Sequence, residues 1–171
     1  MMLIEETTVP DTALPVDALK AHLRLGAGFG EETLQDDVLK GFLRAAISAI
    51  EARTGKILIS RDFTWTMADW SDPMGEPLPA VPVTDVSEVA LIAGNMDETI
   101  VAASAYRLMA DSQQPKLCPM GVSLPVVQSD GSVRVRFTAG MAVDCANLPA
   151  DLVQAVLLLA AHYYEYRHEM A

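Results

Sequence analysis

Apolar residues recur with a helical period in three parts of this chain. Glu31–Thr54 carries two adjacent apolar ridges, with acidic residues at its start, Arg53 in its last turn and Gly55 in a capping position. A shorter segment, Pro15–Arg24, places Leu19 and Leu23 one turn apart. The third segment, from about Leu148 to His168, has Pro149 in its first turn and is apolar nearly all round in its middle. The pattern predicts three helices, of which the last is either central to a core or shared between a core and a subunit interface.

Between the second and third helices the period changes from 3.6 to 2. Ile57, Ile59, Phe63, Trp65 and Met67 alternate with polar residues, and Arg61 interrupts the apolar row, which favours a turn or bulge near Ser60–Asp62. Further short strands are predicted at Val86–Ala93, Thr99–Val101, Tyr106–Met109, Lys116–Cys118 and Gly131–Thr138. Two long loops, 71–84 and 119–130, separate some of them, and such loops often carry contacts with a partner. Residues 1–14 show no clear period and are expected to form an arm or a short extended segment.

These elements predict an α+β protein with a three-helix core and an inserted antiparallel β region. The helical core is assigned to residues 15–55 and 146–169, and the β insertion to residues 56–145. The length of 171 residues fits one domain spanning residues 1–171.

Composition and charge narrow the range of possible functions. The formal net charge of −11, from 23 acidic and 12 basic residues, argues against a sequence-reading nucleic-acid binder. The negative charge is compatible with the wall of a channel through which DNA slides without binding. The alternative is that the charge simply keeps the protein in solution. Cys118 and Cys145 form no C-x-x-C pair, so reduced thiols are expected, in keeping with synthesis in the cytoplasm. The N-terminus lacks a signal-peptide pattern, and no apolar run approaches the length of a membrane span.

Candidate chemistry is sparse. His162, Glu165 and His168 lack the H-E-x-x-H order of a helical zinc site, and Gly26, Gly28 and Gly30 lack the context of a phosphate loop. Asp36 and Asp37 point in different directions on a helix, and no Gly-x-Ser-x-Gly elbow is present. We therefore predict no catalytic, cofactor-binding or metal-binding residues. A small α+β enzyme or ligand-binding domain remains an alternative, which a deep pocket with converging polar groups would favour.

Interface-forming residue types cluster near the end of the chain. Tyr163, Tyr164, Tyr166 and Arg167 stand within five positions, and at least one of the tyrosines must face outward from the helix. They are candidates for a portal or subunit contact, with core packing plus an exposed Tyr as the alternative. Arg134 and Arg136, on the outer face of a strand, are candidates for meeting an acidic neighbour in a ring, with a solvated sheet face as the alternative.

Three patches of the chain resemble the head–tail connector (adaptor) proteins of long-tailed bacteriophages and gene transfer agents. They are Leu19-Lys-Ala-His-Leu-Arg24, Ile50-Glu-Ala-Arg-Thr-Gly55 leading into Ile57-Leu-Ile59, and the stretch from Phe137-Thr-Ala-Gly140 to Tyr164-Glu-Tyr-Arg167. The resemblance implies a structural subunit without catalysis or cofactors. It would form a homo-oligomeric ring, typically twelve-fold, under the portal protein at the head–tail junction of a virion or phage-like particle. The ring would extend the DNA channel and dock the stopper or tail protein.

Three departures from the family pattern bear on this expectation. Tyr166 stands where the family ending has Asn, and residues 70–130 match in length but hardly in sequence. The chain also ends soon after Arg167, so that a contact with the portal is expected from the helix end. A stopper or tail-completion protein of the same particle is the alternative, although the helix-first, helix-last order argues against it because those proteins tend to be mostly β.

Overall fold

The computed structural model describes residues 1–25 and 32–167, except for the side chains of residues 32–34. It divides into two compact units. The helical unit comprises Val9–Ile59 and the chain from Met141, and the β unit comprises Met1–Thr8 and Ser60–Gly140. The predicted α+β class, with three helices and antiparallel sheets, is confirmed.

The described part of the helical unit contains three α-helices: α1 Val16–His22, α2 Glu32–Thr54 and α3 Ala150–Glu165. Their buried side chains make one apolar cluster with Leu58, Ile59 and Cys145. Helix α2 ends at Gly55, whose φ of 68° suits a residue without a side chain and whose N–H donates to the Glu51 carbonyl at 2.8 Å. The cluster therefore holds together segments from both ends of the chain. No helix among residues 1–25 and 32–167 is long and apolar enough to cross a membrane.

The β unit contains eight strands in two sheets. The strands are β1 Met2–Glu5, β2 Arg61–Met67, β3 Glu76–Pro77, β4 Val83–Ile92, β5 Glu98–Ile100, β6 Tyr106–Met109, β7 Lys116–Pro119 and β8 Ser132–Ala139. The larger sheet has the order β1-β2-β8-β4-β5 and the smaller one the order β3-β7-β6. Every pair of neighbouring strands is antiparallel, as short hairpin-like segments predict.

The centre of the larger sheet has one buried face and one polar face. Phe63 and Phe137 lie opposite each other in register on the buried face, with ring centroids 5.6 Å apart. We define the polar face by Thr64, Thr66, Glu88, Arg134, Arg136 and Thr138, which the register places on the other side of the sheet. Alternation along β2 and β8 thus separates the two faces, as the period of 2 predicts.

The irregularities of the sheet lie in β4 and not in β2. Register shifts fall at Thr84 and Ser87 of β4, whose hydroxyls donate to the carbonyls of Thr138 and Arg136 at 3.2 Å each. The hydroxyls satisfy acceptors on β8 at the points where extra residues disturb the ladder. The turn or bulge expected near Ser60–Asp62 is wrong, because β2 pairs with β8 from Arg61 onward without a shift of register. There β2 begins with buried Arg61, which pairs with Glu5 at 3.2 Å and lies over the Phe63 ring.

Several predicted boundaries differ from the structure. Residues 2–5 form a paired strand, because backbone bonds to β2 define it although its side chains are exposed and show no period. Ile57 and Leu58 precede the sheet, since β2 starts only at Arg61, and the β unit ends at Gly140 rather than at residue 145. Helix α3 starts at Ala150, with Pro149 as its N-cap. The treatment of the whole chain as a single connector domain stays a prediction.

Candidate interaction surfaces

The end of α3 turns its aromatic residues in two directions. Tyr163 and Tyr164 are half-buried against the apolar cluster, and Tyr164 meets Phe42 of α2 edge to face, with centroids 6.0 Å apart. Arg167 lies over the Tyr164 ring, 4.2 Å from its centroid, and its Nη1 donates to the Tyr164 carbonyl at 2.6 Å. A cation bonded to a carbonyl at a helix C-terminus stabilises that end of the helix. Arg167, although exposed, therefore already has contacts within its own chain.

Tyr166 faces outward instead. Its exposed fraction is 44%, and its ring lies 4.6 Å from that of His162, one turn earlier. Leu158, a further turn back, is 52% exposed. Residues four apart lie on the same side of a helix, so these three form an outward-facing row that we call the α3 stripe: Leu158, His162 and Tyr166. Of the three tyrosines near the end of α3, only Tyr166 belongs to this stripe. The sequence analysis did not identify Leu158 as a candidate contact residue.

Arg134 and Arg136 find acidic partners within their own sheet. Arg134 Nη2 lies 3.2 Å from Glu88 Oε1 and also pairs closely with Glu98, while Arg136 Nη1 lies 3.4 Å from the same Glu88 oxygen. Burial opposes the charge on Arg134, but hydrogen bonds to Glu98 and Glu88 outweigh it and raise the pKa of its guanidinium. The two arginines therefore belong to an ion network on the polar face. Arg136 is the more exposed of the two, with 47% of its side-chain surface accessible.

A buried carboxylate, missed in the sequence, organises the long loops. Glu76 is 3% exposed and accepts hydrogen bonds from the Ser71 N–H at 2.6 Å, the Ser71 hydroxyl at 2.8 Å and the Asp72 N–H at 2.9 Å. Trp70 Nε1 donates to the Pro125 carbonyl at 2.8 Å, and the Leu124 N–H donates to the Pro73 carbonyl at the same distance. The loops 71–84 and 119–130 are thus tied to each other. No periodicity marks Glu76, because its partners are mostly backbone groups of a loop.

The same two loops present exposed apolar side chains at their tips. Met74, Met120, Val122 and Val126 are between 61% and 87% exposed. Contact of these loops with an adjacent ring stays a prediction.

The described residues hold little that would support chemistry. They contain no group of three or more His, Cys, Asp or Glu residues placed to hold a metal ion. His162 and Glu165 are described, whereas His168, Gly26, Gly28 and Gly30 lie outside the described residues. A cavity of 480 Å³ lies beside the turn between β4 and β5, and its Asn95 and Asp97 side chains bond to each other at 2.6 Å.

Comparison with solved structures defines the class of protein. A chain from the neck of an empty gene transfer agent particle, solved with C6 symmetry, is 46% identical, with a TM-score of 0.91, over 98% of this chain and 86% of that one. A chain from the virion of the native particle is also 46% identical, with a TM-score of 0.88, over 100% of this chain and 88% of that one. A chain from the native neck, solved with C12 symmetry, is 43% identical, with a TM-score of 0.86, over 98% and 85% of the two chains.

These similarities identify a structural component of a phage-like particle. The chain belongs to the family of neck proteins of gene transfer agent particles. The resemblance to phage and gene transfer agent structural proteins is therefore confirmed at that level. No protein-family model matches the chain, and no curated protein matches it as a relative.

Proposed function

We propose that this chain is the connector (adaptor) subunit of the head–tail junction. It forms a homo-oligomeric ring under the portal protein, extends the DNA channel and docks the stopper or tail protein. The observation that carries the proposal is the similarity to two neck chains, each over 98% of this sequence, at 46% and 43% identity. The protein acts by assembly and is not an enzyme. It is made in the bacterial cytoplasm and takes its place in the particle there.

The α3 stripe is the proposed contact with the portal or a neighbouring subunit. Leu158 and Tyr166 are the large apolar residues that this helix leaves exposed, at 52% and 44%. Aromatic residues dominate the binding energy of many interfaces, because they bury a large area at little cost in conformational entropy. Tyr163 and Tyr164 support the stripe from inside the helical unit, and Arg167 stabilises its end. In a closed ring each contact is repeated, so modest single interfaces suffice.

The charge suits a channel component. With a formal net charge of −11, the surface repels the phosphate backbone and lets DNA pass without specific binding. Twelve copies are the expected number for a ring that stacks on a portal. In this proposal Arg136, the more exposed arginine of the polar face, is available to an acidic neighbour.

The test is purification of the tagged protein from particle-producing cells, with its partners identified and imaged by electron microscopy. We expect a portal ring with this chain stacked on it as a second ring. A Leu158→Ala/Tyr166→Ala double variant should recover several-fold less portal protein. A Met96→Ala variant, changed at a turn residue that is 80% exposed, should behave as the parent chain.

Two outcomes contradict the proposal. A lone monomer without any particle component would remove the connector function, and tail components without portal protein would favour the stopper or tail-completion alternative. Circular dichroism of each variant shows whether a loss of portal protein reflects a lost contact or a lost fold.

A further inference from the structure

The larger sheet of the β unit has two free edges that carry exposed apolar residues. Met2, Leu3 and Ile4 of β1 are 57%, 43% and 42% exposed, and Ile100 of β5 is 55% exposed. Edge strands that face water are normally protected by charges, prolines or bulges, because their unpaired backbone groups attract other strands. The run Met2-Leu3-Ile4 has none of these protections. An apolar edge of this kind is a template for pairing with another strand.

Both edges offer the same number of unpaired backbone positions. The Glu6 N–H donates to the Asp62 carbonyl at 2.8 Å, so alternation directs Met2 and Ile4 toward β2 and leaves the N–H and C=O of Leu3 and Glu5 pointing outward. At the other edge the Val101 N–H donates to the Val89 carbonyl at 2.8 Å. By the same alternation Glu98 and Ile100 point outward. Each edge thus presents two residues ready to form a ladder.

Two of these apolar side chains, Ile4 of β1 and Ile100 of β5, lie on the same side of the sheet. Ile4 lies opposite Thr64 on β2, and Ile100 lies opposite Ala90, which is paired in turn with Arg134. Both isoleucines therefore border the polar face. That face is charged in its middle and carries an exposed isoleucine at each border, as expected if the borders meet each other in a neighbouring copy.

We propose that β5 of one copy pairs in parallel with β1 of the next copy around the ring. The occupant of each edge is thus a second copy of this chain, and the inference rests on the proposed ring function. Because the sheet has five strands and every neighbouring pair is antiparallel, β1 and β5 run in the same direction. A rotation about an axis along the strands preserves that direction and generates a head-to-tail contact that closes into a ring.

One register satisfies both the backbone and the side chains. In this register the outward backbone groups of Glu98 and Ile100 in one copy alternate along the ladder with those of Leu3 and Glu5 in the next copy. The order along the ladder is Glu98, Leu3, Ile100, Glu5. This order places Ile4 of one copy beside Ile100 of its neighbour. The two apolar side chains then shield each other from water. The alternative order, shifted by two residues, places Ile4 beside Glu98, which is already engaged with Arg134.

Disulfide trapping in isolated particles tests this register. Neighbouring strands lie about 4.8 Å apart, within the Cα separation of about 4.4–6.8 Å that a disulfide spans. An Ile4→Cys/Ile100→Cys variant, oxidised in particles, should give a ladder of covalent multimers on a reducing-agent-free gel. The matched control is Ile4→Cys/Met96→Cys, whose second cysteine lies in the turn between β4 and β5, outside the proposed pairing, and should give no covalent multimers. The native Cys118 and Cys145 are buried and form no disulfide.

A proline variant tests the ladder without a cross-link. Ile100→Pro removes an N–H that points away from β4, so that the internal sheet keeps its bonds while the edge loses a donor. We expect normal secondary structure and at least a several-fold loss of the chain from particles. Ile100→Lys provides a second variant that keeps the N–H and instead places a charge at the contact.

The outcomes separate the two proposals. The strand pairing is overturned if the Ile4→Cys/Ile100→Cys chain enters particles but gives no covalent multimers, or is cross-linked to a different particle protein. Either result leaves the ring function intact. Absence of even the parent chain from the particles overturns both. Full incorporation of both Ile100→Pro and Ile100→Lys also overturns the pairing.

Discussion

Replacement of Glu76 by alanine should destabilise the β unit strongly. The carboxylate is 3% exposed and accepts three hydrogen bonds, from both the N–H and the hydroxyl of Ser71 and from the N–H of Asp72. A hydrogen bond to a charged group contributes about 1.5–3 kcal/mol, and donors that lose a buried acceptor are costly. Because the three bonds share one acceptor and one loop, their contributions do not add. We expect a loss of about 3 kcal/mol in the free energy of unfolding for Glu76→Ala.

Glu76→Gln distinguishes the shape of the side chain from its charge. The amide oxygen of glutamine can accept from the backbone N–H groups of Ser71 and Asp72, and its NH₂ group can donate to the Ser71 hydroxyl oxygen, but these bonds lose the strength that the negative charge gives them. We expect a loss of about 1–2 kcal/mol, smaller than for alanine. Glu165→Ala, at an exposed position near the end of α3, is the matched control and should leave the β unit unchanged.

Tryptophan fluorescence during urea unfolding measures this loss where it occurs. Both tryptophans of the sequence, Trp65 and Trp70, are buried in the β unit, and Trp70 lies next to the loop that Glu76 organises. At a slope of about 1.5 kcal/mol per M, a loss of 3 kcal/mol lowers the midpoint by about 2 M urea. Far-UV circular dichroism follows the helices in parallel and shows whether the two units unfold together. An unchanged fluorescence midpoint for Glu76→Ala would refute the assignment of Glu76 as the centre of this loop.

Three further predictions follow from particular contacts. Phe137→Ala removes a ring that is 1% exposed and stacked on Phe63, so the free energy of unfolding should fall by about 3–5 kcal/mol in the same fluorescence assay. Burial, with a smaller contribution from Asp144, raises the pKa of Cys145 to about 11. Iodoacetamide at pH 8 should therefore leave Cys145 unmodified until urea unfolds the chain. Rapid labelling of Cys145 in the native protein would contradict this. Hydrogen bonds from Lys40 and then Arg44 lower the pKa of Asp11, so its contribution to stability is present above the unfolded-state pKa and is lost as the pH falls through the folded-state pKa. Asp11→Asn should thus be less stable than the parent chain at pH 7 and equal to it in strong acid, and a difference independent of pH would show that charge is not the cause.

The proposals at α3 and at the sheet edges depend on exposed apolar residues of different origin. Leu158 and Tyr166 are exposed because the period of a helix turns them away from the apolar cluster. Ile4 and Ile100 are exposed because their strands are the last of a sheet. The first kind of surface offers a side-chain contact and the second a backbone ladder. A ring with both would be held in the particle by two independent kinds of contact.

Local patterns in the sequence were sufficient for the helices, for most strands and for the class of fold. The period of 3.6 in α2, the Gly55 cap and the alternation in β8 are properties of neighbouring residues, and each was visible without tertiary information. The outward position of one tyrosine near the C-terminus followed from the same geometry. The resemblance to structural proteins of phage-like particles depended on the order of such local features.

Tertiary structure decided whatever depends on partners distant in sequence. β1 has no alternation to reveal it, and it is a strand because its backbone pairs with β2 about sixty residues away. The acidic partners of Arg134 lie on β4 and β5, 46 and 36 residues away along the chain. The sequence by itself thus determined most of the elements, because periodicity is local. Only the folded chain determined which edges and side chains remain unpartnered, because that depends on contacts between residues far apart in the chain.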